Sequence, residues 1–150
     1  KVGILLPHNR QVFGFAQGLS EAGLEVEIAA RKGKSTDRIP LNFNSDRPKL
    51  MTYHGSKGLT FDTVILPRLV PNSFSNLTTD RIKKLLFVGV TRATKWVYMS
   101  STKSSIVAPI EDLMDLKEEG KLTVQHASDP ISVSRPTTTS DVGDDLTDLL

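Results

Sequence analysis

The first thirty residues read as strand, helix, strand, and that order is the strongest constraint on what this chain can fold into. Val2-Gly3-Ile4-Leu5-Leu6 is an apolar run stopped by Pro7, the pattern of a buried strand. Asn9 stands at a position suited to capping a helix. Val12, Phe13, Phe15, Ala16 and Leu19 then gather on one face of a helix that runs to about Gly23, a residue suited to ending it. Leu24 to Ile28 alternates with the period of two expected of a half-exposed strand. A strand, a crossover helix and a second strand close as one turn of a parallel sheet, so the expected class is α/β.

Later segments repeat the theme. Residues 31–48 are polar and read as a loop, Lys49 to Tyr53 as a strand, and Phe61 to Leu66 as another. Val64-Ile65-Leu66 is continuously apolar, as in a strand covered on both faces. After a loop from Pro67 to Leu77, Thr78 or Thr79 begins a helix reaching about Thr94, with Ile82, Leu85, Leu86 and Val90 at helical spacing. Trp96 to Met99 is a further strand. Pro109 suits the first turn of an acidic helix, Ile110 to Glu119, closed by Gly120. From Ala127 the chain is mostly Ser, Thr, Asp and Pro, the composition of a tail, although Leu146, Leu149 and Leu150 remain within it. The expected organisation is a body over 1–108, an acidic helix and short extension over 109–126, and a polar acidic tail over 127–150 available for docking a partner.

Charge is divided along the chain. Residues 1–109 hold sixteen Lys and Arg against seven Asp and Glu, whereas 110–150 hold three against ten. A basic body suits a polyanionic partner, because Lys and Arg release counterions when they neutralise phosphates; a solvated basic surface with an acidic tail is the plainer alternative. There is no cysteine, so disulfides and thiolate metal sites are excluded. His8, His54 and His126 lack metal-ligand spacing, and no metal site is expected. No secretory signal or membrane-spanning run is legible, and Lys1 in place of an initiating Met points to a start inside a longer protein. The expected location is the cytoplasm, in association with the nucleoid, with no membrane partner.

Two segments could carry chemistry. In the first, Thr52 to Asp62, a strand runs into a turn bearing Gly55, Ser56, Lys57 and Gly58 before the next strand begins. The glycines permit a sharp turn and a close ligand, while amides, hydroxyls and the lysine can face phosphate; alone, this is a polar loop at the strand ends of a sheet. The second, Lys84 to Thr94, is apolar almost all round and should be a buried helix ending in Arg92. A buried arginine needs a partner. It fits either a structural cation at a helix C-terminus or a guanidinium aimed at a transferring phosphoryl group. Gly33-Lys34-Ser35 imitates the end of a nucleotide-binding P-loop, but Ile28 stands where the earlier glycine would be required, so it reads as a charged surface loop.

Taken together, Thr52, His54, Lys57, Gly58, Leu59, Phe61 and Asp62, followed by Leu85-Leu86-Phe87-Val88-Gly89-Val90-Thr91-Arg92-Ala93, closely resemble motifs V and VI of UvrD/Rep-type superfamily 1 DNA helicases. Ile4 to Arg10 resembles the motif IV region, and the likeness extends over residues 2–101. The resemblance implies a RecA-like three-layer αβα domain with a mostly parallel sheet, P-loop NTPase-like but without a P-loop of its own. It implies the second lobe of a two-lobed motor, with ATP and Mg²⁺ bound mainly by an N-terminal RecA-like lobe and single-stranded DNA lying across both. Alone, the chain would be inactive as an ATP hydrolase. By that resemblance Arg92 is the catalytic arginine finger, and Gly58, Thr60 and Arg10 adjoin the nucleotide. Thr52, His54, Ser56 and Lys57 would face the DNA. Thr60 stands where the family commonly has Glu, and Pro7 where motif IV usually supplies an Arg, with Arg10 three residues on as its substitute. The short interval before Lys49 leaves no room for the large accessory insertion of the longest members. It resembles compact branches such as the HelD-like factors, and with them an alternative reading: a helicase-fold module docking RNA polymerase or repair proteins.

Overall fold

The computed structural model describes residues 1–29 and 41–128; the P-loop look-alike at 33–35 and nearly all of the 127–150 tail lie outside the described residues. Five strands, β1 (Val2–Leu6), β2 (Glu27–Ala29), β3 (Lys49–Thr52), β4 (Phe61–Leu66) and β5 (Ala93–Met99), form one sheet in the order β2-β3-β1-β4-β5. Every pairing is parallel. Two helices cover it: α1 (Asn9–Glu21) and α2 (Thr79–Val90).

Strand alternation sends side chains to two separate cores, one on each face of the sheet. Ile4 and Leu6 of β1 and Leu50 of β3 meet Val12 and Ala16 of α1. Leu5, Met51, Val64 and Leu66 point the other way, onto Ile82, Leu85 and Leu86 of α2. The result is helix, sheet and helix in three layers, as the sequence leads one to expect. Gly3 is part of that packing, because a Cβ there would lie 2.7 Å from the Phe61 ring. Beyond α1, the same sheet face leaves Trp96 39% and Tyr98 59% exposed on the edge strand β5.

Several boundaries differ from expectation, each for a local reason. His8, not Asn9, is the helix cap: its amide donates to Gln11 Oε1 at 3.1 Å. The strand expected from Leu24 begins only at Glu27. Gly23 takes φ +78°, and the Leu24 amide donates back to Leu19 O at 2.8 Å, so the helix-terminating turn consumes the first residues of the would-be strand. Helix α2 stops at Val90 rather than Thr94. Thr91 Oγ1 donates to Phe87 O at 2.9 Å, and the Phe61 amide donates to Arg92 O at 2.8 Å, which commits the following residues to the sheet. The acidic helix expected over 110–119 is two single turns, α3 (Ala108–Glu111) and α4 (Asp115–Glu118). Like charges spaced three and four apart disfavour a continuous helix there.

Lys49 was legible only as the start of a strand. Its side chain is buried, with Nζ donating to the carbonyls of Ser45 at 2.9 Å and Arg47 at 2.6 Å and lying 3.4 Å from Glu27 Oε1. It fastens the edge strand β2 to the turn that precedes β3. Among the described residues no helix is long and apolar enough to cross a membrane, and no group of three metal-ligating side chains occurs.

Candidate nucleotide and nucleic-acid interface

The chain between β3 and β4 must change ends of the sheet. Thr52 is level with Leu6, at the C-terminal ends of the strands. Val2 is level with Thr63, so Phe61 lies two residues below Val2, at the opposite edge. At about 3.3 Å per residue, Thr52 and Phe61 are roughly 20 Å apart along the strand axis. Residues 53–60 cover that span as a string of turns rather than a helix.

Side-chain chemistry explains how so short a segment is held. Thr52 Oγ1 accepts the Gly55 amide at 3.0 Å. Ser56 is buried and donates its hydroxyl to Tyr53 O at 2.8 Å. That corrects the expectation that the Ser56 side chain faces DNA, because its hydroxyl is spent inside the turn and has no surface to offer. His54, Lys57, Gly58 and Thr60 are exposed, and Thr52 is half-buried. Gly58 takes φ +80°, a left-handed conformation that a side chain would strain. Asp62, at the start of β4, pairs with Lys95 Nζ at 2.9 Å.

Tyr53 is the residue that sequence reasoning missed. Its ring is fully buried, 6.4 Å from the Phe74 ring, and its Oη has no hydrogen-bond partner among the described residues. On its other side it touches α2, where a Cβ on Gly89 would lie 2.6 Å from Tyr53 Cε1. The absence of a side chain at Gly89 therefore lets the connector seat against α2, the helix that leads into Arg92. A tyrosine beside a small-residue position does not reveal such a contact without knowledge of which strand adjoins which helix.

Burial raises the Tyr53 hydroxyl pKa above the ordinary tyrosine value. The unfolded chain loses this proton first, so Tyr53 favours the folded state fully below about pH 10, and that contribution declines as pH rises further. Tyr53→Phe is expected to raise stability at neutral pH by about 1 kcal/mol, since an unpaired buried hydroxyl is removed. It is also expected to flatten the alkaline decline, which has a limiting slope of about 1.4 kcal/mol per pH unit. Urea unfolding of both proteins at pH 7 and pH 11 checks this; a less stable variant at pH 7 means the hydroxyl finds a partner.

Arg92 follows α2 at the N-terminal edge of the sheet, beside the lower end of the connector. Its Nε donates to Val88 O at 3.1 Å, one terminal nitrogen to Leu59 O at 3.4 Å and the other to Thr91 Oγ1 at 3.2 Å. The group is half-buried, and no carboxylate among the described residues pairs with it. Carbonyl tethers fix the direction of a guanidinium without cancelling its charge. Helix α2 itself is not buried all round as expected. Phe87 is 70% and Val90 40% exposed, and only the stripe of Ile82, Leu85, Leu86 and Gly89 is packed.

The expected site residues thus separate into two groups. Thr60 and Arg92 come together at the N-terminal edge, Thr52 lies at the C-terminal edge, and Gly58 lies in the turn between them. Arg10 is exposed in the first turn of α1, which follows the C-terminal end of β1. The length of the sheet therefore lies between Arg10 and Arg92, and the domain does not bring these two expected nucleotide contacts together. The C-terminal edge also carries a pocket of about 390 Å³ that the sequence did not suggest, lined by Arg68, Asn72 and the hydroxyl residues Ser100, Ser101, Thr102 and Ser105. Arg68 has φ +53°, and its amide donates to Ser100 Oγ at 3.2 Å.

The model of the UvrD-like helicase C-terminal domain matches residues 4–104, covering every strand from β1 to β5 together with the connector and Arg92. The chain belongs to the UvrD-like helicase C-terminal domain family. Within it, the ATP-dependent DNA helicase srs2 of Schizosaccharomyces pombe is 38% identical over 63 residues, a stretch comprising 40% of this chain. The chain spans only 7% of that relative. Among solved structures, the C-terminal domain of a possible DNA helicase from Lactobacillus plantarum WCFS1 shares the fold of this UvrD-like domain, with a TM-score of 0.51 at 15% identity. That match covers 71% of this chain and 58% of the other. A UvrD-like C-terminal domain is accordingly what the three layers build.

Proposed function

We propose that this domain is the second motor lobe of an ATP-dependent DNA helicase or translocase. It supplies an arginine finger from one edge of its sheet and part of a single-stranded DNA track from the other. The observation that carries the reading is the Arg92 guanidinium, tethered to the carbonyls of Val88 and Leu59, beside the Gly58 turn, with its charge uncompensated by any described carboxylate. A fixed, planar cation of this kind suits a phosphoryl group presented from outside the domain. ATP and Mg²⁺ are held chiefly by the N-terminal RecA-like lobe, and Gly58 and Thr60 adjoin the nucleotide. The isolated domain hydrolyses no ATP, because no P-loop sequence is present in it.

Separation of the two groups supports the same reading. The connector from Thr52 to Thr60 touches both edges, so a shift of one end is transmitted to the other through a segment pinned by Ser56 and backed by Tyr53. Closure of the lobes on ATP presses on Arg92 and Gly58 and re-aims Thr52, His54 and Lys57 on the strand. Arg68 and the hydroxyls of its pocket lie on the same edge as Thr52 and offer further phosphate contacts.

The track is tested by salt. In the full-length protein, Lys57→Ala is expected to weaken single-stranded DNA binding and to reduce the slope of log affinity against log salt concentration by about 0.7, one phosphate contact's worth. ATP hydrolysis without DNA should be unchanged. Fluorescence anisotropy titrations at several salt concentrations give the slope; an unaltered slope removes Lys57 from the track.

A further inference from the structure

We propose that residues 141–150 of this chain dock on the exposed face of α2, in the shallow groove lined by Lys83, Lys84, Phe87 and Val88. The groove combines an apolar floor with a basic rim: Phe87 is 70% exposed, and the two lysines stand beside it. Its proposed occupant has the complementary composition. Asp141, Asp144, Asp145 and Asp148 are interleaved with Val142, Leu146, Leu149 and Leu150, without a single basic residue. Leu146, Leu149 and Leu150 have the three- and four-residue spacing at which apolar side chains share a helical face. Such a segment can cover an aromatic ring while its carboxylates meet the lysines around it.

Placement favours this occupant over others. The acidic part of the chain already starts against α2: Val107 and Ile110 pack into the core beneath it, and Lys83 pairs with Asp112 at 3.1 Å. From Ser128, thirteen residues lead to Asp141, a reach of up to about 45 Å. That exceeds the roughly 18 Å length of α2. The present partners of the lysines, Asp112 for Lys83 and Asp80 for Lys84, are exposed pairs of the kind that contributes little, so exchange for a denser acidic segment costs little. Trp96 and Tyr98 are also exposed, but they belong to the opposite side of the sheet from α2. The inference goes beyond the motor reading and stands without it.

The absence of cysteine makes the test direct. Thr147→Cys creates a single attachment point for a nitroxide label in the full 150-residue chain. The amides of Lys84, Phe87 and Val88 are expected to be broadened strongly, and those of Trp96 and Tyr98 to be unaffected. Two further variants should each abolish the broadening: Lys83→Glu with Lys84→Glu, and separately Phe87→Ser, which keeps both lysines. The first should be rescued by Asp144→Lys with Asp145→Lys. About 1 M salt, where the screening length is about 3 Å, should weaken the effect. Broadening centred on Trp96, uniform or absent broadening, or persistence after charge reversal overturns the proposal. So does broadening in a mixture where label and isotope reside on different molecules, since a second copy would then be the occupant.

Discussion

Arg92→Ala in the full-length protein is expected to lower DNA-stimulated ATP hydrolysis by about 10³- to 10⁵-fold, the range over which arginine fingers act on phosphoryl transfer. The domain should remain folded. Arg92 loses three hydrogen bonds in this variant, to Val88 O, Leu59 O and Thr91 Oγ1, but the group is only half-buried, so the cost to stability is about 1–2 kcal/mol. Arg92→Lys keeps the charge while losing the planar fork and the tethers that aim it, and should recover only a small part of the rate. Steady-state kinetics paired with thermal unfolding separate these effects. A variant that hydrolyses ATP at the wild-type rate would make Arg92 a structural cation and leave the motor reading without its central support.

Gly89→Ala is expected to destabilise the domain by about 1–3 kcal/mol, an overpacking cost large enough to reverse the usual benefit of alanine in a helix. Alanine normally gains about 1 kcal/mol over glycine in a helix interior. That gain should appear at Gly14 and Gly18 of α1, where an added Cβ meets nothing within 4 Å. At Gly89 the new methyl meets Tyr53 Cε1 at 2.6 Å and Leu66 Cδ2 at 3.0 Å, both buried side chains with no free direction in which to retreat. Tyr53→Val in the Gly89→Ala background opens the space and should restore part of the loss, a coupling of about 0.5–3 kcal/mol in a double-mutant cycle. Additive effects would mean that the connector and α2 are not packed as described. Because Gly89 is three residues from Arg92 and Tyr53 is next to Thr52, the same contact links the two groups of the proposed site.

Much of the architecture was legible because it is local. The apolar run to Leu6, the helix face of Val12, Ala16 and Leu19, and the continuous Val64-Ile65-Leu66 each follow from a periodicity that any strand or helix of this class must satisfy. The connector and Arg92 were marked by their resemblance to helicase motifs V and VI, which is likewise read from neighbours in sequence. Errors fell where a neighbour in space decides. Leu24 alternates like a strand residue but is held by the hydrogen bonds of the preceding helix terminus, and Phe87 sits in an apolar helix that proves covered on one side only.

What the sequence alone determined is the class of fold and the resemblance to the family, because periodicity and motif residues both lie within short stretches of chain. Tertiary structure alone decided that Ser56 is turned inward, that Arg10 and Arg92 stand at opposite edges, and that Tyr53 fills the place left open by Gly89. Those outcomes depend on strand order, β3 to β1 to β4, which brings together residues more than thirty positions apart. No periodicity within one segment encodes which distant segment will lie beside it.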